Sequence, residues 1–319
     1  MFRNAASIGA DIGRQKLKLA VVRMDGTVLM EDCRSMERNS DRQTVINLLV
    51  ESLLSMRQKA ADNGINAISI GISAKGFVDP QSGIVLGPDQ GISGWTQVPL
   101  SKIVNKETGL PVFVGNDANL MTIAEQRFGA ATGYRNVIFV ALRTGIGGGI
   151  IIDGNLYRGV NNAGGEIGQM IINFSGGISE TGIRGSLEYF ASGTAVARRY
   201  AEEAGLAEEA SSRISAREVF NLAAGGDKIA SSVVRENAAL IGIGLANLIT
   251  IFAPEIIVLG GGMAEADGDY FDLIRESAFE NSLENCRAAV RIERARLGSR
   301  ASLIGAGYYS LTRLAGKQI

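Results

Sequence analysis

The stretch Val114-Gly-Asn-Asp-Ala-Asn119 decides how the rest of the chain is read. The apolar run Pro111-Val-Phe-Val114 leads into it as a strand, and Ala118 to Phe128 leaves it as a helix. Asp117 therefore falls at a strand-to-helix turn, where backbone N–H groups and the helix dipole favour a negative charge. An oriented carboxylate at such a turn caps the helix, holds a cation, or accepts a proton from a hydroxyl. Capping alone would explain an acid there, so the company that Asp117 keeps along the chain must separate the three.

Upstream, Ala6 to Ala10 reads as a buried strand, Asp11-Ile-Gly13-Arg-Gln-Lys16 as a turn, and Leu17 to Arg23 as a second strand ending at Asp25-Gly26. Downstream, Asn136 to Leu142, Thr144-Gly-Ile-Gly147-Gly-Gly149 and Ile150-Ile-Ile-Asp153-Gly154 repeat that order of strand, glycine turn, strand and Asp-Gly turn. The echo predicts a duplicated fold whose two glycine turns face each other across a cleft and clasp a polyphosphate. Neither turn carries the G-x-x-x-x-G-K-[ST] or G-x-G-x-x-G pattern.

Between these pieces, Asn39 to Asn63 has helical spacing and Ala67 to Ile72 reads as a strand. Ser73 to Asp79 and Gly87 to Trp95 read as loops, the second holding the only tryptophan. Glu166 stands among glycines in Ala163-Gly-Gly-Glu-Ile-Gly-Gln169, where a ligand can approach the backbone closely. Asn173 to Gly185 reads as a loop leading into a helix from Ser186 that carries Glu188 in its first turn. Ser215-Ala-Arg-Glu218 is a capping box, and Ile229 to Phe252 reads as a buried core helix stopped by Pro254. Ile256-Ile-Val-Leu259 is a strand emptying into Gly260-Gly-Gly-Met263, and Tyr270 to Glu280 and Ser302 to Ala315 read as helices.

Composition narrows the function. The chain has 319 residues, enough for two domains, and 32 Lys and Arg against 33 Asp and Glu. That balance leaves no electrostatic footprint for nucleic acid or an anionic membrane, so small molecules are the expected partners. The absence of histidine removes the Ser-His-Asp triad, the histidine base and the His-containing zinc site. Two cysteines, Cys33 and Cys286, make neither a disulfide framework nor a thiolate cage and fit a reducing compartment. No signal peptide is visible and no apolar run is read as long enough to span a bilayer, so the expected location is the cytoplasm.

The ordered set Asp11-Ile-Gly, Gly115-Asn-Asp-Ala-Asn119, Thr144-Gly-Ile-Gly-Gly-Gly149, Gly164-Gly-Glu-Ile-Gly168, Leu187-Glu188 and Ile257-Val-Leu-Gly-Gly-Gly262 resembles the ROK family of repressors, open reading frames and sugar kinases. The resemblance covers nearly the whole chain. It implies an α/β, actin-like ATPase (ribonuclease H-like) fold of two domains with a cleft between them. The expected smaller N-terminal domain is 1–115, completed by the C-terminal helix 302–319, and the larger domain is 116–301.

Carried over by residue, the resemblance makes Asp117 the general base for a sugar hydroxyl, with Asn116, Glu166, Gln169 and Glu188 binding the sugar. The Asp11, Gly13 and Lys16 turn and the Thr144, Gly145 and Gly147 turn would hold the phosphates of ATP and Mg2+. Gly260, Gly261 and Gly262 would lie against adenosine. Phosphoryl transfer needs mainly positioning and charge neutralisation, so one carboxylate that orients the hydroxyl and takes its proton suffices. The implied activity is ATP-dependent phosphorylation of a hexose, N-acetylhexosamine or related polyol, in a homodimer.

The departures are informative. Gln169 stands where family members carry a zinc-binding histidine, and Ser179, Thr181 and Ser186 stand at the cysteine positions, so no zinc is expected. Arg14-Gln15 replaces Gly-Thr in the first phosphate turn, Arg143 replaces a frequent glycine, and Lys75 and Gly91 replace a proline and an asparagine. The alternative is a non-catalytic sugar sensor. Family repressors carry a helix-turn-helix ahead of the kinase-like part, and a first strand at about residue 6 leaves no room for one, so direct DNA binding is not expected. An actin-like filament is a third, weaker reading, because it gives the sugar-type carboxylates no task.

Overall fold

The computed structural model describes residues 5–37, 39–87, 91–179, 181–211 and 213–317. Residues 88–90 of the tryptophan loop, residue 180 of the 173–185 loop and the last two residues of the expected C-terminal segment lie outside the described residues. The strands in chain order are β1 (Ala6–Ile12), β2 (Lys16–Arg23), β3 (Val28–Ser35), β4 (Ala67–Ala74), β5 (Val78–Asp79), β6 (Ile84–Val85), β7 (Val112–Asn116), β8 (Val137–Leu142), β9 (Ile146–Ile152), β10 (Asn155–Tyr157), β11 (Ile256–Gly260) and β12 (Arg291–Arg294). The helices are α1 (Arg42–Asp62), α2 (Leu100–Thr108), α3 (Asp117–Phe128), α4 (Leu187–Ala191), α5 (Gly193–Glu203), α6 (Glu208–Ser211), α7 (Ala216–Ala224), α8 (Lys228–Phe252), α9 (Tyr270–Glu280), α10 (Glu284–Arg287) and α11 (Ala301–Leu314).

The chain divides into two compact units, one of Met1–Gly133, Ile150–Gly164 and Arg296–Ile319, the other of Tyr134–Gly149 and Gly165–Ala295. In the first, the sheet order is β3-β2-β1-β4-β7. β1, β2 and β3 form an antiparallel meander, while β1, β4 and β7 run parallel. Seven of the eight residues of β4 are buried, as expected for a central strand covered on both faces. On one face Leu49, Leu53 and Met56 of α1 share a buried cluster with Leu17, Leu19 and Ile70. Trp95 belongs to that cluster at 2% exposure, so the tryptophan loop feeds the core with its aromatic ring.

The other face is covered by α11 at backbone distance. A Cβ on Gly71 would stand 1.9 Å from the Ala306 carbonyl oxygen, and one on Gly9 2.3 Å from that of Leu303, so only glycine lets the helix settle on β1 and β4. α3 packs on the same helix, and a Cβ on Gly305 would meet the Leu120 carbonyl oxygen at 2.0 Å. The buried Glu125 ties the end of α3 to the start of the C-terminal segment by accepting from the backbone amides of Ala130, Arg296 and Leu297. These contacts move the expected division at 115/116 to Gly133 and bring the C-terminal segment into the first unit from Arg296. The fragment Ile150–Gly164 also joins that unit, which a linear division at 116–301 did not foresee.

The second sheet has the order β10-β9-β8-β11-β12, with β8, β11 and β12 parallel. Each sheet is thus three chain-consecutive strands followed by two parallel ones, the topological form of the echo between the two hairpins. Val233, Ile241, Leu245 and Ile249 of α8 are buried, and Asp227 caps the helix by accepting from the Ala230 amide at 2.7 Å. Contrary to the sequence expectation, α8 is long and apolar enough to cross a membrane by length and composition, and 56% of its apolar window is buried inside the protein. The Ser215–Glu218 capping box of α7 is formed in both directions.

Candidate functional site

In the first unit, the expected site residues gather at the carboxyl ends of parallel strands, the usual ligand edge of an α/β sheet. Asp11 is paired in register with Ser73, Ser73 with Gly115, and Ala74 with Asn116. Ser73 Oγ donates to Asp11 Oδ1 at 2.8 Å, fixing that carboxylate, while Asp11 Oδ2 has no hydrogen bond among the described residues. Ser73 and Ala74, read as loop in the sequence, belong to β4 because the parallel ladder with β7 runs on to Asn116. The Asp11 turn closes by Gly13 N–H donating to the Lys16 carbonyl at 3.0 Å, which leaves Arg14 and Lys16 exposed.

The cap of α3 is Asn116, whose Oδ1 accepts the Asn119 amide at 3.0 Å. Its Nδ2 donates to the Gly76 carbonyl at 3.1 Å. Among the described residues these are its side-chain hydrogen bonds, which leave Asn116 one N–H and one lone pair for a ligand. Asp117 is the first helical residue, half-buried, with Oδ1 accepting the Ala118 amide at 2.9 Å.

In the second unit, the turn after β8 is gripped from two sides. The Gly193 amide at the start of α5 donates to the Arg143 carbonyl at 2.8 Å, and Thr194 donates to the Thr144 carbonyl through its amide at 3.1 Å and its hydroxyl at 2.9 Å. From the other side Met263 N–H reaches the Leu142 carbonyl at 3.3 Å. Gly260 and Ala141 are register partners at the adjoining ends of β11 and β8, so the Gly260–Gly262 turn and the Thr144–Gly145 turn leave one edge of the sheet together. Gly261 has φ +94°, and a Cβ there would lie 2.3 Å from the Leu142 carbonyl oxygen and 2.9 Å from Arg143 Cγ. The stem of Arg143 therefore lies over the missing side chain of Gly261. Gly262, by contrast, faces open space.

Glu188 is fixed to the same turn. Its Oε2 accepts the Ile146 amide at 2.8 Å, and a Cβ on Gly145 would stand 2.5 Å from that oxygen. Its Oε1 accepts from Gln169 Nε2 at 3.1 Å. Gln169 and Glu166 share the tight turn Ile167–Gln169, closed by Gln169 N–H donating to the Glu166 carbonyl at 3.0 Å, and Glu166 is exposed. Gly147 and the buried Gly148 lie in β9, where the lack of a side chain on Gly148 makes room for Ile167. Of the positions where a zinc set was expected to be lost, Gln169, Ser179 and Thr181 are joined by hydrogen bonds, and Ser186 caps α4 through the Tyr189 amide at 3.2 Å. Among the described residues no group of three or more Cys, Asp and Glu side chains is arranged to hold a metal. Ser73 and Thr194 are the contributors that the sequence did not single out, and Thr181, noted only as standing at a lost cysteine position, gains a hydrogen bond to Gln169.

Paired sheets of this topology, with glycine turns at the carboxyl ends of their parallel strands, define the actin-like ATPase class. Sequence comparison agrees: the ROK family matches residues 7–313, and the chain belongs to that family. A glucokinase of Thermotoga maritima is 30% identical over 97% of this chain and 98% of its own. A xylose repressor of Caldicellulosiruptor bescii is 29% identical over 93% of this chain and 76% of its own. Among solved structures, a ROK hexokinase from Thermus thermophilus superposes with a TM-score of 0.84 at 30% identity, covering 98% of this chain and 99% of that one. A ROK family glucokinase from Streptomyces griseus, in complex with glucose and AMPPNP, superposes with a TM-score of 0.82 at 31% identity over 96% of this chain and 99% of that one.

Proposed function

We propose that the protein is an ATP-dependent sugar kinase, with a hexose, an N-acetylhexosamine or a related polyol as acceptor and Asp117 as the general base. The observation that carries this reading is the division of labour at the start of α3. Asn116 provides the cap, so the helix does not require Asp117 for that purpose, and a half-buried carboxylate stays at the ligand edge of the sheet. In the second unit, Glu188 is oriented by two donors, and a carboxylate held so accepts strong bonds from neighbouring sugar hydroxyls. Asn116, Glu166 and Gln169 complete the sugar contacts in this reading.

The phosphate side has the features that ATP and Mg2+ ask for. Thr144 is exposed on a turn tied to α5 and β11, Gly262 opens on free space, and Gly145, Gly147, Gly260 and Gly261 keep side chains off the backbone. Asp11, with Oδ1 fixed by Ser73, keeps Oδ2 for hydrated Mg2+, which typically uses one or two carboxylates plus phosphate oxygens. Gly13 and Lys16 would complete that turn's hold on phosphate. Bound Mg2+ would neutralise charge developing on the transferred phosphoryl group. Arg143, packed over Gly261, is accommodated beside the turn. The reading places the enzyme in the cytoplasm as a homodimer without zinc, nucleic acid or membrane as partners.

The test is ADP release from purified protein with Mg-ATP across hexoses, N-acetylhexosamines and polyols, with Asp117→Asn alongside. Turnover with one sugar that Asp117→Asn lowers by at least about a hundredfold supports the kinase. A second reading, a sugar sensor, is favoured by the match to a xylose repressor along 93% of this chain. Thermal stabilisation by a sugar with no turnover of any sugar would decide for it.

A further inference from the structure

The environment of Glu188 contains a directional chain of hydrogen bonds that starts at the Ile183 amide, in the loop before α4. Thr181 Oγ1 lies 2.5 Å from Gln169 Oε1, Ser179 Oγ lies 2.8 Å from Thr181 Oγ1, and the Ile183 amide donates to Ser179 Oγ at 3.2 Å. The proton order follows from chemistry. The Glu188 carboxylate accepts, so the group of Gln169 facing it is the amide nitrogen, and the group facing Thr181 is the amide oxygen. An amide oxygen only accepts, so the single hydroxyl proton of Thr181 points at Gln169. The hydroxyl of Ser179 must then donate to Thr181, and its own lone pair takes the Ile183 amide. Every donor from Ile183 to Gln169 points toward Glu188, and Ile146 N–H meets the carboxylate from the other side.

The loop that presents Thr181 is itself closed. Ser179 N–H donates to the Ile183 carbonyl at 2.9 Å, Gly182 N–H to the Ser179 carbonyl at 2.9 Å, and Arg184 Nη1 to the Gly176 carbonyl at 2.9 Å. Thr181 is exposed while Ser179 is buried, so the chain runs from a buried anchor through a solvent-facing hydroxyl to a half-buried carboxylate.

We propose that Thr181 is a positioning residue for sugar recognition: with Ser179 and Gln169 it holds the Glu188 carboxylate on the Ile146 amide, in the orientation that receives the sugar hydroxyls. This rests on the reading of Glu188 as a sugar ligand. Thr181 acts by anchoring the oxygen of the Gln169 amide whose nitrogen already faces the carboxylate. Without its hydroxyl the Gln169 side chain loses that anchor and is free to swing away from the carboxylate, which releases Glu188 from that side.

Two readouts on the full chain test this, with D-glucose and Mg-ATP as the probe substrates. Thr181→Val keeps the shape and removes the donor, while Thr181→Ser keeps the donor. Expected for Thr181→Val is amide exchange at Ile146 about tenfold faster in the free protein and a KM for D-glucose about tenfold higher with kcat within about twofold, with Thr181→Ser restoring both. Wild-type exchange at Ile146 in Thr181→Val would overturn the proposal. Glu188→Gln separates it from the reading beneath it. If Glu188→Gln leaves the D-glucose KM unchanged, the assignment of Glu188 to sugar fails along with the sugar-recognition role of Thr181, and the Ile146 exchange still decides whether the chain positions the carboxylate.

Discussion

Asn116 Oδ1 accepts the Asn119 amide at 3.0 Å, so the cap of α3 belongs to the residue before Asp117. The two side chains therefore predict opposite phenotypes. Asn116→Ala should cost about 1 kcal/mol of stability, the usual worth of such a cap. Asp117→Asn should unfold within about 0.5 kcal/mol of wild type yet lose at least about a hundredfold in kcat. Urea unfolding and ADP release measured on both variants check this. Comparable destabilisation by the two changes would return Asp117 to a structural role.

Glu125 should be the most sensitive acid in the first unit. It is fully buried and accepts three backbone amides, Ala130 and Arg296 on Oε2 and Leu297 on Oε1. Glu125→Gln keeps the shape but turns a donor toward one of these amides, and each donor left unpaired in a buried site costs about 1–3 kcal/mol. The expected result is a lowered urea midpoint with an unchanged m-value. A midpoint equal to wild type would show that water replaces the carboxylate there.

Much of this architecture could be read from residues alone, for identifiable reasons. The echo of strand, glycine turn, strand and Asp-Gly turn at Ala6–Gly26 and Asn136–Gly154 reappears as two sheets of matching order. Local patterning carried that because the hairpins are continuous in sequence. Ser73-Ala-Lys-Gly reads as loop from its turn-forming composition, and pairing with β1 and β7, both distant in sequence, makes Ser73 strand. Trp95 reads from sequence only as part of a loop, and its burial in the α1 cluster is a long-range fact. The reach of Thr181 to Gln169 depends on how the 173–185 loop folds back, for which its composition carries no periodic signal.

Acid should remove a stabilising pair in the second unit. Arg199 Nη2 on α5 lies 2.6 Å from Glu236 Oε2 on α8, and that bond holds the Glu236 carboxyl below its ordinary value. A carboxyl with a lowered folded-state pKa contributes stability that is present above its unfolded value and lost as pH falls through the folded one. Because the Glu236 side chain is 55% exposed, the contribution at neutral pH should be only about 0.5 kcal/mol. Glu236→Gln should therefore be slightly less stable than wild type at pH 7, and the gap should close as pH falls through the lowered folded-state value. A gap that persists in strong acid would assign the effect to packing.

The turn after β11 should separate folding from nucleotide use within two adjacent glycines. Gly261 has φ +94° and no space for a Cβ, which would stand 2.3 Å from the Leu142 carbonyl oxygen, whereas a Cβ on Gly262 meets nothing within 4 Å. Gly261→Ala must strain its backbone and push on the end of β8, at a cost of about 1–3 kcal/mol. Gly262→Ala should unfold at the wild-type temperature, since the added methyl only fills open space. If that space is where the nucleotide lies, the same methyl should raise the KM for ATP several-fold and leave the KM for sugar alone. Thermal unfolding and steady-state kinetics on the pair read both effects. An unchanged ATP KM in Gly262→Ala would move the nucleotide away from this turn, while a stable Gly261→Ala would show that Leu142 and the Arg143 stem yield more readily than their packing implies.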